Sequence, residues 1–403
     1  MFTLDRVYQA AHVLKDAVYE TGLTKTAGLT DGCDLYLKTE NLQATGSFKI
    51  RGSYFKMSTL GKNERARGVV ACSAGNHAQG VALAALKNGI KATIFLPATA
   101  PISKIEATRQ YGAAGTEVQL VDGVYDDACA AAHAFQEETG AVFIHPFDDE
   151  DVIAGQGTIG LELLEQLPDM DAVVVPVGGG GLISGIAFVV KMLKPTCKVY
   201  GVQSTGACCM VKSIEGSGRQ ELSCVSTFAD GIAVKVPGEL TYPLCEEYVD
   251  GIVTVSDDEI ATAILTLMER QKIVTEGAGA ASVAAAMFDK LPIEELAGQK
   301  VCAVISGGNI DVNILSRVIH RGLLTSGRLT DLTIELLDKP GQLKEVSAII
   351  ADRGANVIKV NHNPAGENTD INGCFLHITM ETTDRQHLAA IEEALRDAGY
   401  KLI

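Results

Sequence analysis

The chain has 403 residues, 47% hydrophobic and 21% charged, enough for two or three globular domains with buried sheets. A formal charge of −16 with sparse aromatics and no Trp excludes a nucleic-acid partner, which would need basic clusters and stacking platforms. No apolar run approaches the roughly 18 to 20 residues that span a bilayer, and the start MFTLDRVYQAAHVLKD lacks the basic, apolar and small-residue zones of a secretory signal.

From about residue 30 to 320, short β-branched runs alternate with helix-length segments. Strands are predicted at 34–39, 68–72, 92–96, 117–121, 172–177, 198–202 and 301–306, and helices at 76–88, 102–111, 125–139 and 182–193. Such alternation means an α/β architecture with a mostly parallel sheet covered on both faces. The run AVVVPV is hydrophobic without alternation, as a doubly covered central strand should be. After Gly327 the pattern changes to strand, Pro-Gly turn, helix, strand, strand, helix, short strand: a βαββαβ unit of about 75 residues. The polar stretch 363–369 within it reads as an exposed connection. The ten Cys form no CxxC pair, and most, such as Cys72 and Cys302, read as small buried hydrophobes in a reducing compartment, the cytosol. No metal ligand set is expected.

Four segments of the larger part carry chemistry. In Thr45-Gly46-Ser47-Phe48-Lys49, a lysine follows a turn and opens a helix, where the dipole disfavours a second positive charge. That helps keep Lys49 a neutral amine able to form a Schiff base, with Phe48 placed against a flat aromatic group. In Ser73-Ala74-Gly75-Asn76-His77, a strand-to-helix turn aims backbone N–H groups in one direction, which suits a carboxylate. His77 is ambiguous, since a histidine at a helix start is more often structural than catalytic. Gly178, Gly179, Gly180 and Gly181, before Leu182, follow the buried strand and let the backbone approach a ligand closely, and the next helix directs its positive end there. The expected ligand is a phosphate; GxGxxG is absent, which speaks against a dinucleotide. Ser306, in Ser306-Gly307-Gly308-Asn309, can hydrogen-bond a neutral pyridine nitrogen or simply cap a helix.

In this order and spacing TGSFKIRG, SAGNHAQG, GGGG and SGGN resemble the fold type II pyridoxal phosphate enzymes, and among them the threonine dehydratases (threonine ammonia-lyases). The segments 229–234 (ADGIAV) and 276–280 (EGAGA) fit the same pattern, and the tail resembles an ACT domain. The resemblance covers the whole chain. It implies a tryptophan synthase β-like fold of two open, mostly parallel sheet subdomains over 1–325, the smaller at roughly 40–145, followed by a regulatory ACT domain at 328–403. It implies that Lys49 forms the internal aldimine and then acts as the base at Cα. Phe48 would face the pyridine ring, Asn76 would bond its 3′-oxygen, and the tetraglycine with Leu182 would hold the phosphate. Ser306 would stand at the ring nitrogen, with Gly231 and Glu276 beside the ring; Ser73, Asn76 and His77 would line the substrate carboxylate pocket. In the ACT domain an effector loop is implied at Asp338, Pro340, Gly341, Gln342 and Leu343.

The implied reaction converts L-threonine to 2-oxobutanoate and ammonia, and L-serine to pyruvate, in a homodimer or homotetramer. Related serine racemases carry a second Ser where this chain has Ala74, so racemisation should be minor. Relatives that bind a divalent cation use carboxylates where this chain has Gln203 and Cys209, so no magnesium or calcium is expected. Other members of the fold (cysteine, cystathionine or threonine synthases), a catalytically silent amino-acid sensor and a Rossmann dehydrogenase remain as alternatives. Lys49 argues against the silent sensor.

Overall fold

Residues 2–292, 296–364 and 372–403 are described by a computed structural model. In chain order the strands are β1 (Leu23–Lys25), β2 (Asp34–Lys38), β3 (Val69–Cys72), β4 (Ala92–Pro97), β5 (Thr116–Val121), β6 (Val142–Phe143), β7 (Ala172–Pro176), β8 (Lys198–Ser204), β9 (Gly251–Val255), β10 (Lys300–Val304), β11 (Leu329–Leu337), β12 (Asn356–Pro364), β13 (Gly373–Glu381) and β14 (Lys401–Leu402). Contacts divide the chain into two units, Met1–Asp311 and Val312–Ile403.

The first unit holds two sheets. The larger has the order β1-β2-β10-β7-β8-β9, parallel except at the β1 edge. Every residue of β7 is buried, which is why its sequence shows no alternation. Its neighbours include the wholly buried first ten residues of helix Gly181–Leu193 and the Ala-rich helix Gly277–Met287, whose small side chains let it lie close to the strands. The smaller sheet, β5-β4-β3-β6, is all parallel and comes from the intervening stretch of chain. Val69, Ala71, Val81, Ile94 and Leu96 form its core. Both sheets feed the same place: the turns that leave β3, β7 and β10 at their C-terminal ends carry the SAGNH, tetraglycine and SGGN segments.

The second unit is an antiparallel sheet, β12-β13-β11-β14, with helices Gln342–Asp352 and Arg385–Asp397, a βαββαβ arrangement. Ile334, Leu376, Ile378, Val346, Ile350 and Ile391 make its core. Helix Val312–Ser326 groups with this unit. Of the turn expected at 363–369, Asn363 and Pro364 end β12 and the remainder lies outside the described residues. Cys72 and Cys302 are buried as read from sequence, whereas Cys224 is exposed. Among the described residues no helix is long and apolar enough to cross a membrane.

Candidate active site

Lys49 is the first residue of helix Lys49–Ser58, and two other helices hold it from behind. A Cβ on Gly80 would come within 3.0 Å of the Lys49 carbonyl carbon, and one on Gly52 within 2.7 Å of the Val152 oxygen. Glycine at these two positions lets helices Asn76–Asn88 and Glu150–Gln166 close onto the lysine's own helix. Two residues on, Arg51 is fully buried and forks onto two carboxylates: Nε and Nη2 donate to Glu40 at 2.9 and 2.8 Å, Nη1 and Nη2 to Glu162 at 2.5 and 2.9 Å. Lys38, also buried, adds a 2.6 Å bond to Glu162. Buried charges of this kind persist only when paired and hydrogen-bonded. The arginine beside it holds the Glu40 carboxyl below the usual range despite its burial.

The Lys49 ammonium donates to the Pro146 carbonyl at 2.7 Å and lies 5.2 Å from the Phe48 ring centre. Burial pushes its pKa down to about 8, with the Glu276 charge opposing. Glu276 is itself pushed up to about 7, chiefly by burial and by the charge of Asp230. Its Oε1 accepts from Asn76 Nδ2 at 2.6 Å. Asn76 Oδ1 in turn accepts from Asn309 Nδ2 at 2.8 Å, and the same Asn309 nitrogen reaches the Thr45 carbonyl at 2.8 Å. Asn309 therefore ties the loop before Lys49 to the start of helix Asn76–Asn88, a clasp that the sequence reading did not assign.

The tetraglycine turn is closed from one side by Phe147. A Cβ on Gly179 would overlap its ring, and one on Gly181 would lie 2.8 Å from its Cα. Gly180 has φ of +102°, a conformation glycine adopts without strain. Thr241 Oγ1 donates to the Gly179 carbonyl, and Asp148 accepts from the N–H groups of Glu239, Leu240 and Thr241 at 2.8, 2.9 and 3.2 Å. His145 Nδ1 accepts from the Asp148 N–H at 2.7 Å, and burial keeps this imidazole neutral, with a pKa of about 4. The segment His145-Pro-Phe-Asp148 is thus a second structural element of the site missed from sequence. Its signal there was only a polar Pro-containing turn after a short apolar run.

One cavity of about 940 Å³ is lined by every residue singled out for the catalytic site: Phe48, Lys49, Ser73, Asn76, His77, Gly178, Gly179, Gly180, Gly181, Leu182, Gly231, Glu276 and Ser306. His77 is buried, with Nε2 2.7 Å from the Ile144 carbonyl, so Nε2 carries the proton. Its Nδ1 has no partner among the described residues, and burial lowers its pKa to about 3. At the mouth, Lys104 pairs with Asp230, and Lys235 with Asp126 at 2.9 Å. In the second unit, Gly341 has φ of +100° and precedes helix Gln342–Asp352, which begins with Gln342 and Leu343; Pro340 lies just before it and Asp338 just beyond β11.

The chemistry of this cavity fits pyridoxal phosphate. An amine whose pKa is lowered to about 8 lies beside a phenyl ring, and a glycine cradle that any Cβ would fill stands at the positive end of the 13-residue helix Gly181–Leu193.

The sequence matches the family model described as pyridoxal-phosphate dependent enzyme over residues 14–307, and the ACT domain model over 330–399. It is 50% identical to the L-threonine ammonia-lyase of Thermotoga maritima across 100% of this chain and 99% of that protein. Among solved structures, the processed form of threonine deaminase isoform 2 from Solanum lycopersicum superposes with a TM-score of 0.74 at 39% identity, covering 79% of this chain and 94% of that one. Maize serine racemase gives the same TM-score at 34% identity, covering 79% and 97%. With the lysine, the glycine cradle and the ACT unit all in place, the chain belongs to the pyridoxal-phosphate dependent enzymes of fold type II, in the L-threonine ammonia-lyase family.

Proposed function

We propose that this enzyme dehydrates and deaminates L-threonine to 2-oxobutanoate and ammonia, acts likewise on L-serine to give pyruvate, and is regulated by an amino acid through its ACT domain. The observation that carries the reading is Lys49, a half-buried amine held down to about 8 within a cavity that also contains the glycine cradle. Pyridoxal phosphate, when bound, supplies the electron sink that makes the substrate Cα–H acidic.

The residues divide the remaining work. Backbone N–H groups of Gly178, Gly179, Gly180, Gly181 and Leu182 hold the phosphate, aided by the helix dipole. Asn76, already braced by Asn309 and Glu276, bonds the ring oxygen. Ser306 would serve the ring nitrogen, and Gly231 and Glu276, which line the same cavity, would flank the ring. Ser73 and Asn76, with the backbone N–H rather than the neutral ring of His77, would receive the substrate carboxylate. The neutral Lys49 amine removes the Cα proton, the β-hydroxyl leaves as water, and the released enamine tautomerises and hydrolyses to the 2-oxo acid and ammonia. Residues 1–325 are the catalytic part and 328–403 the regulatory part, with Asp338, Pro340, Gly341, Gln342 and Leu343 as the effector loop. The protein acts in the cytoplasm as a homo-oligomer.

Racemisation is the second reading, motivated by the maize serine racemase likeness. Ala74 lines the cavity beside Ser73 and brings no hydroxyl to donate a proton, so elimination dominates. Incubation with pyridoxal phosphate and L-threonine, following 2-oxobutanoate and ammonia, tests the proposal. L-serine and a Lys49→Ala variant run alongside. Product from the wild type and none from the variant is expected; absence of product from a cofactor-loaded wild type would move the function to a sibling enzyme of the same fold.

A further inference from the structure

Three metal-ligating side chains of the second unit meet at one end of its sheet. Cys374 stands in β13 opposite Leu336 of β11 and Pro364 of β12, and His362 of β12 stands opposite Leu376. Cys374 and His362 are thus on one face of the sheet, offset by two residues. Asp338 follows two residues beyond Leu336, anchored by its N–H donating to the Asn372 carbonyl at 2.7 Å. One ligand atom from each of the three lies within 4.8 Å of the others. His362 Nε2 and Asp338 Oδ1 are 3.8 Å apart, too far for a hydrogen bond, so this is not simply a satisfied His–Asp pair. Cys374 is 1% exposed while the other two are open to solvent, giving a thiol floor with an imidazole and a carboxylate as walls.

We propose that Asp338, His362 and Cys374 bind a divalent cation of the zinc class, with a fourth position left to water. A thiolate with an imidazole selects such ions over magnesium or calcium, which prefer all-oxygen sets. Tetrahedral coordination at about 2.0 to 2.3 Å places ligand atoms about 3.4 to 3.6 Å apart, so the trio needs to close by roughly an ångström. Rotation of the two solvent-facing side chains supplies that movement. Binding exchanges the thiol proton for the metal and releases it to solvent, so affinity falls with falling pH. The ligands are twenty-four and twelve residues apart in the chain, a spacing that no sequence motif advertises.

The test uses full-length, cofactor-loaded protein with zinc sulfate against a chromophoric chelator, and cobalt chloride as a spectroscopic stand-in. One zinc retained per chain through dialysis is expected, with a cobalt–thiolate charge-transfer band in the near ultraviolet. Cys374→Ser should abolish the band, and His362→Gln, at an exposed position, should weaken zinc at least tenfold while leaving the metal-free melting temperature unchanged. Zinc should raise the melting temperature of the wild type alone. Wild-type zinc affinity no tighter than that of His362→Gln, or a cobalt–thiolate band that survives in Cys374→Ser, overturns the site.

Discussion

Lys49 owes its low pKa to lost solvation, and Glu276 is the carboxylate that partly restores its charge. The rate at which the apoprotein takes up pyridoxal phosphate should therefore rise with pH through about 8. In Glu276→Gln the same midpoint should fall to lower pH, read as the growth of the lysine-bound cofactor's absorption in stopped flow; an unchanged midpoint would disconnect the two groups. His77 has the opposite consequence for stability. Its folded pKa of about 3 lies below the unfolded value near 6.5, so between these limits the unfolded chain binds more protons and stability falls as pH drops. Between pH 6 and 4.5 this contributes a slope that grows from about 1.0 toward the one-proton limit of about 1.4 kcal/mol per pH unit. Urea unfolding of His77→Gln across that window should show a shallower acid limb. From sequence, Lys49 was legible as a reactive amine because a lysine after a Gly-Ser turn is unusual, yet the cause inferred there was the helix dipole. Burial emerged only once the cavity was closed by Phe147 and Pro146, far away in the chain.

The helix Lys49–Ser58 is positioned by charge as well as by packing, since Arg51 bridges Glu40 before it and Glu162 on the helix Glu150–Gln166. Arg51→Met leaves two buried or half-buried carboxylates facing each other and should cost about 3 to 5 kcal/mol, as single-partner removal from a buried pair does. Thermal melts of the apoprotein would measure it; a loss under 1 kcal/mol would mean water enters in its place. At the tetraglycine turn, Gly179→Ala should cost about 1 to 3 kcal/mol by overpacking against Phe147 and weaken cofactor retention. Phe147→Leu in the same chain should restore part of both. The strands of the first unit were legible because β-branched apolar runs such as AVVVP are bounded by glycine turns, and the observed β7 stops one residue short of the expected run. The short β1 and β6 were not, having three and two residues with no period to read, and the half-buried edge strand β9 was not assigned either. The clasp by Asn309 was equally invisible, because it joins Thr45 to Asn76 across 264 and 233 residues of chain.

At the scale of the whole molecule, the ACT unit is the regulatory proposal's physical carrier. Deleting 328–403 should leave threonine dehydration running but remove the response to its amino-acid effector. Typical coupling of about 1 to 3 kcal/mol corresponds to a 5- to 150-fold shift in apparent affinity, which substrate titrations with isoleucine, valine or threonine as effector would register. Identical curves for the full and shortened chains would sink regulation through this unit. The βαββαβ order was legible from the change of pattern near Gly327, whereas the trio Asp338, His362 and Cys374 appears only when strand register brings it together. A different consequence follows from the pairs Lys104–Asp230 and Lys235–Asp126, which join residues of the smaller sheet's helices to the loop between helices Cys209–Glu215 and Thr241–Tyr248. Lys235 and Asp126 are both open to solvent, so dissolved salt competes with that pair directly, whereas the mostly buried Lys104 shields its own pair in part. As ionic strength rises from 0.01 to 0.15 M the screening length contracts from about 30 to about 8 Å, and substrate entry and product escape should both quicken. Turnover should then be faster at 0.15 M than at 0.01 M salt, and steady-state rates across that range would show whether this rim pair slows traffic through the mouth.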